Sequence, residues 1–348
     1  MKILVIGPSW VGDMVMSQCL YRTLKVEYSS TEIDVISVAW CRPLLARMPE
    51  VHRTLPFSVG HGSLAITERW RLGHALRKNQ YDRAYVLPNS WKSALVPFFA
   101  NVAQRIGWCG EKRYGLLNDI RMLNKAAFPR MAQRYLALAY DKGRINCADD
   151  LPKPLLCPQL QVNKEEIGKS ITTFKLTVQR PSIGFCPGAA FGPAKCWPHY
   201  HFVTLAKKLI DQGYQVVLFG SDNDYAVGEK IQTALQGKSR KHCINLAGKT
   251  KLDHAVVLIS SCKAIISNDS GLMHIAAALN KPLIALYGPS SPDFTPPLSD
   301  KAKVIRLIRG YHKVRKANTA HGYHQSLIDV QPQQVLEALM SLLVESEG

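Results

Sequence analysis

Apolar residues along this chain fall into short continuous runs, separated by stretches in which they recur every three or four positions. The first run, Lys2–Gly7, is apolar at every inner position and ends at Gly7-Pro8, the mark of a buried strand. Ile33–Ala39 and Arg83–Leu87 read the same way, while Ser17–Glu27 and Trp70–Lys78 between them carry helical periodicity. Strands buried on both faces belong to parallel sheets, and alternation of strand and helix supplies the layers that cover them. From Asn89 to Arg144 the alternation loosens at Pro97, Gly107, Gly110 and Gly115. Leu151-Pro-Lys-Pro-Leu-Leu-Cys-Pro158 is then too rich in proline for a helix interior or a central strand. It reads as an inter-domain linker running into a polar segment up to about Gln179. A second series follows, with strands at Ser182–Cys186, Gln215–Phe219, Ala264–Ser267 and Leu283–Leu286 and helices at Tyr200–Gln212, Asp253–Ser261 and Leu272–Leu279. The chain closes on an apolar helix, Gln334–Val344. The pattern predicts an α/β protein of two Rossmann-like domains facing each other across a cleft, residues 1–165 and 166–348. The final helix, about 333–345, is expected to pack back toward the first domain.

Composition agrees with two cores: 348 residues, 47% hydrophobic and 20% charged. No run approaches the roughly 20 apolar residues of a membrane span. The N-terminal run meets its turn too soon for a signal peptide, so a cytoplasmic location is expected. Nine scattered cysteines, with no C-x-x-C pair, suggest neither a disulfide framework nor a zinc site. The net charge of +18 changes the picture more. It is spread along the chain, +10 over residues 1–160 and +8 beyond, so it is not a basic tail. Such a field attracts nucleic acid, a phosphorylated glycolipid or an anionic membrane face; plain solubility is the alternative. Lys92, Arg105, Lys112, Arg113, Arg121, Arg130 and Arg134 concentrate in the loosened stretch.

Open α/β sheets bind ligands beyond the carboxyl ends of their strands. In the second half each predicted strand ends in small residues: Pro187-Gly-Ala-Ala190, Gly220-Ser-Asp222, Asn268-Asp-Ser-Gly271 and Gly288-Pro-Ser-Ser291. Asp269-Ser270-Gly271 leads straight into a helix. The first N–H groups there, with the Ser270 hydroxyl, suit a phosphate; an ordinary Asp/Ser cap is the competing reading. His274 follows Ser270 by one turn, either as a donor to a phosphate oxygen or as a structural ring. Lys195 sits in the rigid loop Gly192-Pro-Ala-Lys-Cys-Trp-Pro198, where its charge can neutralise a diphosphate leaving group. Asp222-Asn-Asp224 matches the D-x-D that holds a metal in some glycosyltransferases. A helix cap fits it too, and acceptance from ribose hydroxyls is the preferred role. In the first half, strand one ends in Gly7-Pro-Ser-Trp-Val-Gly-Asp13, with neither a dinucleotide fingerprint nor a P-loop. Asp13 stands at a helix start, as an N-cap or as a general base for an acceptor hydroxyl.

Together these motifs resemble one family. From Met1 to about Asp329 the chain is similar to the bacterial lipopolysaccharide heptosyltransferases that use ADP-heptose, glycosyltransferase family 9. Within them it is most similar to the branch that adds the second heptose of the inner core. The most specific pieces are Gly7–Asp13, Gly188–Pro198, Asn268–His274 and Tyr287-Gly-Pro-Ser-Ser-Pro292. The resemblance implies a GT-B fold and an inverting transfer of L-glycero-D-manno-heptose from ADP-heptose to the first heptose of heptosyl-Kdo2-lipid A. It implies Asp13 as catalytic base and Lys195, Ser270, Gly271 and His274 around the ADP diphosphate. Asp269 would face the sugar, Asp224 the ribose, and Thr250 the adenine segment. Lys92, Arg113 and Arg121 are expected on the acceptor side. No metal site and no required cofactor is implied, with Mg²⁺ assistance left open. The expected partners are ADP-heptose, the phosphorylated lipid A–Kdo–heptose acceptor and, peripherally, the cytoplasmic face of the inner membrane; nucleic acid is not among them. Two departures stand out: Cys196 where the family usually has arginine, and Ala190 where this branch usually has glutamate. Two rival readings remain. A nucleic-acid binder fits the charge but lacks a recognisable motif. A nucleotide-sugar epimerase, also built on two such domains, would need no acceptor.

Overall fold

The computed structural model describes residues 1–57, 63–190, 192–310, 314, 316–319 and 322–347. Phe191, inside one of the quoted motifs, lies outside them. The chain divides into two compact units, Met1–Pro158 and Gln159–Gly348. The first is built on β1 (Lys2–Ile6), β2 (Glu32–Ser37), β3 (Val51–Pro56), β4 (Arg83–Val86), β5 (Gln104–Trp108) and β6 (Asp119–Arg121). Their order is β3-β2-β1-β4-β5-β6, all parallel. The second is built on β7 (Ser182–Cys186), β8 (Gln215–Leu218), β9 (Cys243–Asn245), β10 (Ala264–Asn268), β11 (Leu283–Leu286) and β12 (Ala302–Ile305). Their order is β12-β11-β10-β7-β8-β9, again parallel.

Each sheet grows outward from its first strand, then reverses. The chain lays down β1 to β3, then places β4 on the other side of β1; in the second sheet β10 takes the corresponding place beside β7. A crevice forms beyond the strand ends at such a reversal. The two places to look for ligand chemistry are therefore the ends of β1 and β4 and the ends of β7 and β10.

The inner strands are those the apolar runs predict, except β5, which lies in the loosened stretch after Asn89 and goes unread. β3, β6, β9 and β12 escape the pattern because they are edge strands, and β3 is half polar (VHRTLP). The helix after β1 begins at Val11 rather than Ser17, since Gly12 and Asp13 read locally as turn. The polar connection expected up to Gln179 contains a helix, Lys164–Thr173, opened by Asn163 accepting from Glu165 N at 3.0 Å. The last helix, Pro332–Glu347, packs within its own unit. Its Val335, Leu336, Leu339, Leu342 and Leu343 join Phe202, Leu205, Leu286 and Ile305 in one core, so it completes the layer over its own unit's sheet. No helix among the described residues is long and apolar enough to cross a membrane.

One carboxylate lies inside the first core. Asp34 on β2 is 2% exposed, paired in register with Leu4. It accepts from Tyr81 Oη at 2.6 Å and from Arg53 at 2.5 and 3.2 Å, and meets His52 Nδ1 at 3.1 Å. Burial pushes its pKa upward, but the bonds from Arg53, Tyr81 and His52 outweigh it and hold the carboxyl below its ordinary range. Its stabilisation is therefore present above about pH 4, the unfolded value, and lost as pH falls below it. Asp34→Ala leaves Tyr81 and Arg53 unmatched and is expected to cost roughly 2–3 kcal/mol at neutral pH. Denaturant titrations at neutral and acid pH check this: the gap to the parent should close in acid.

Candidate functional site

Beyond β7 the chain passes through Pro187-Gly-Ala-Ala190 and Gly192–Pro198 before the helix His199–Asp211; beyond β10 it passes through Asp269-Ser270 into the helix Gly271–Ala278. Asn268, fully buried, ties the two turns together. Its Nδ2 donates to Pro187 O at 2.7 Å and its Oδ1 accepts from Trp197 N at 3.0 Å. Trp197, inaccessible to solvent, donates through Nε1 to Val330 O at 2.8 Å. Against this frame Lys195 Nζ lies 2.5 Å from Asp269 Oδ2. Asp269 is buried and the Lys195 side chain is 21% exposed, so the cation sits at the rim over a buried anion.

Ser270 is the N-cap of the Gly271–Ala278 helix, yet its side chain makes no cap bond; its Oγ lies 3.3 Å from Ser267 Oγ instead. The side-chain cap reading is thereby corrected. Among the described residues no side chain caps the first N–H groups of the helix, at the end where the macrodipole favours negative charge. His274 is buried one turn deeper. Desolvation pushes its pKa down to about 4, with Asp269 opposing and nearby Lys195 adding to the shift. The ring is neutral near pH 7 and offers one N–H without a charge.

Asp224 bridges the ends of β7 and β8. Its Oδ2 accepts from Ser221 N and Ser221 Oγ, both at 2.8 Å. A Cβ on Gly188 would fall 2.1 Å from Asp224 Oδ1, and one on Gly220 would fall 2.6 Å from Asp224 Cβ. Both positions are glycine because the carboxylate lies directly on the backbone there. Asp222 turns toward Gly248, where a Cβ would meet its Oδ1 at 3.0 Å. The two carboxylates of the D-x-D thus rest on different glycines. Among the described residues no three His, Cys, Asp or Glu side chains gather as metal ligands. Thr250 follows β9, in the loop whose Gly248 N donates to Gly220 O at 3.1 Å. Lys195, Asp269, Ser270, Gly271 and His274 therefore cluster at the β7/β10 reversal, while Asp224 and Thr250 occupy the neighbouring strand ends.

In the first unit Asp13 lies in the first turn of the helix Val11–Glu27, directly beyond β1. Among the described residues no side chain donates to its carboxylate, and burial pushes its pKa up to about 6. Two half-exposed indoles accompany this turn, Trp10 within it and Trp40 after β2. Trp40 is fixed by Nε1 donating to Ser9 O at 3.0 Å. A mostly buried, unpaired carboxylate that titrates near neutrality is a competent proton acceptor.

The arrangement can be set beside known proteins. The model of glycosyltransferase family 9 (heptosyltransferase) matches residues 69–324. The chain belongs to this family. It is 66% identical over 348 residues to lipopolysaccharide heptosyltransferase 2 of Escherichia coli K12, covering 100% of both chains. It is 57% identical over 350 residues to lipooligosaccharide heptosyltransferase 2 of Haemophilus influenzae Rd, covering 99% of this chain and 100% of the other. A solved structure of E. coli ADP-heptose LPS heptosyltransferase II matches with a TM-score of 0.93 at 62% identity, covering 100% of both chains. The two sheets are thus those of the GT-B architecture.

Within this family 9 chain the cations expected on the acceptor side divide. Arg113 is 1% exposed and donates to the carbonyls of Pro88 (2.5 Å), Trp108 (2.7 Å) and Ser90 (3.3 Å) and to Ser93 Oγ (3.1 Å). Burial lowers its pKa to about 10. Arg121 pairs with Asp119 at 3.0 Å and donates to Ala137 O at 2.9 Å. Arg105 and Arg134 also donate to backbone carbonyls, of Leu116, Val102 and Phe128. Irregular backbone leaves carbonyls that need donors, so these guanidiniums, those of Arg113 and Arg121 included, brace loops in the first unit. Lys92 stands half-buried just after β4, at the strand-end edge. Of the two departures from the family pattern, Ala190 is exposed. The Cys196 thiol faces the Gly192 carbonyl at 3.9 Å, with its pKa pushed up to about 11 by burial. Sequence reasoning quotes Asn268 in its motif without giving it a role, and passes over Trp40. The signal available for Asn268 was a polar residue closing an apolar strand beside Asp269.

Proposed function

We propose that the chain is an inverting ADP-heptose:lipopolysaccharide heptosyltransferase. It moves L-glycero-D-manno-heptose onto the first heptose of heptosyl-Kdo2-lipid A. The observation that carries the chemistry is the Lys195–Asp269 pair set against an uncapped helix start. A cation, backbone N–H groups and the neutral His274 ring converge where a diphosphate gathers charge as its bond to the sugar breaks. Asp269 holds the ammonium in place and presents its carboxylate toward the sugar; Asp224 and Thr250 serve the nucleoside end. On the acceptor side Asp13 takes the proton of the attacking hydroxyl, ionised above about pH 6. A single displacement through an oxocarbenium-like transition state inverts the anomeric centre. Lys92 meets the anionic acceptor, and the enzyme works peripherally at the cytoplasmic face of the inner membrane.

The test is direct. Purified protein with ADP-heptose and heptosyl-Kdo2-lipid A is expected to release ADP only when acceptor is present, and the product should carry the inverted linkage by NMR. A sugar rearranged while still attached to nucleotide, with no acceptor added, would replace this reading with that of an epimerase.

A further inference from the structure

Away from the strand ends, the first unit carries an apolar face that its own packing leaves uncovered. The helix Ile66–Leu76 crosses the helix Leu95–Phe99 at Gly73, where a Cβ would fall 2.4 Å from Phe99 Cβ and 2.9 Å from Val96 O. Ile66 and Trp70, one turn apart on the first helix, are 49% and 47% exposed, and Phe98 on the second is 42% exposed. Trp70 precedes the crossing point by one turn and its indole packs on His74, ring centres 4.4 Å apart. Ile66 and Trp70 thus share one helix face, Phe98 stands exposed on the helix packed against it, and large apolar side chains exposed near one another mark an interaction surface.

Cations surround this face. Arg71, Arg77 and Lys78 are exposed on or just past the first helix. Arg77 is anchored by Nε donating to Phe99 O at 2.8 Å, and the Arg105 guanidinium lies 5.6 Å from the Phe98 ring centre. From Ile66 to Arg105 the chain has seven Lys and Arg against two Asp and Glu.

We infer that this face docks on an anionic phospholipid bilayer. Ile66, Trp70 and Phe98 enter the boundary between headgroups and acyl chains, while Arg71, Arg77 and Lys78 meet the phosphates. Indole and phenyl rings favour that depth, and each cation close to an anionic leaflet adds attraction. Charge complementarity selects this occupant over a second copy of the chain, whose net charge of +18 would repel it. The docking face is separate from the transfer site and rests on the proposed function only for its purpose, since a lipid-borne acceptor sits in such a surface.

The experiment is sedimentation of the full-length protein with acceptor-free vesicles of phosphatidylethanolamine and phosphatidylglycerol, beside vesicles of phosphatidylcholine alone. The protein is expected on the anionic vesicles, less so in high salt. The exposed-site variant Trp70→Ser/Phe98→Ser should lower the partition coefficient at least about tenfold, the factor that about 1.4 kcal/mol of lost burial gives. Its kcat/KM on a deacylated, water-soluble acceptor should be unchanged. Equal vesicle binding by parent and variant overturns the inference, as does a dimer in analytical ultracentrifugation that the two serines dissolve. Lost activity on the soluble acceptor with vesicle binding intact would place Trp70 and Phe98 in the transfer site and overturn it too. Failure of heptosyl transfer in the parent, with vesicle binding lost only in the variant, would count against the proposed function and leave the docking face standing.

Discussion

Replacing Asp13 with asparagine is expected to remove nearly all transfer while making the first domain harder to unfold. The loss of a positioned general base lowers kcat by roughly a thousandfold. The gain in stability follows from the direction of the pKa shift. Burial raises the folded value to about 6, well above the ordinary carboxyl value. The folded state therefore binds the proton more tightly than the unfolded one, and stability falls as pH rises from about 4 to about 6, staying low above that. At pH 7 the ionised group costs up to roughly 2–3 kcal/mol, which asparagine avoids. Thermal melts should show the variant several degrees more stable at neutral pH, with the difference shrinking toward pH 4. The parent's kcat/KM should fall on the acid side with an apparent pKa near 6. A parent profile flat through that range, or an asparagine variant that keeps its rate, takes Asp13 out of the proton-transfer role.

Lys195→Met should lose roughly 10²–10³ in kcat, the scale for removing one preorganised group from developing charge. The variant also strands Asp269, a buried carboxylate whose cation stood 2.5 Å away, so it should lose stability as well. The double variant Lys195→Met/Asp269→Asn separates the two effects. It is expected to regain most of the melting temperature, because the uncompensated buried charge is gone, without regaining the rate. Titration calorimetry with ADP should show weaker binding in both variants. Recovery of kcat in the double variant would mean that the lysine only neutralises Asp269.

What the sequence makes legible is local. β1 and β7 announce themselves because every inner residue is apolar, and Lys195, Asp269 and Ser270 because small residues and charge cluster in turns right after such strands. β3 stays hidden because an edge strand needs no second apolar face. The long-range ties are equally hidden. Arg113 looks like a surface cation until its guanidinium is found among carbonyls 5 to 25 positions away. Asn268 looks like a strand end until its amide reaches Pro187, 81 positions earlier. Charge and periodicity are properties of a segment; the partner that claims a donor belongs to the whole fold.

The indole of Trp197 has a consequence for how the polypeptide can be handled. It holds Val330, 133 positions further on and two residues ahead of the helix that starts at Pro332. Two positions before that indole comes the ammonium of Lys195. The carboxyl-terminal helix is thus a foundation for the loop that carries Lys195, distant in sequence yet mechanically coupled to it. A clipped tail or a bulky fusion that lifts this helix would imitate a lesion at the reacting centre, with every residue of that centre still in place.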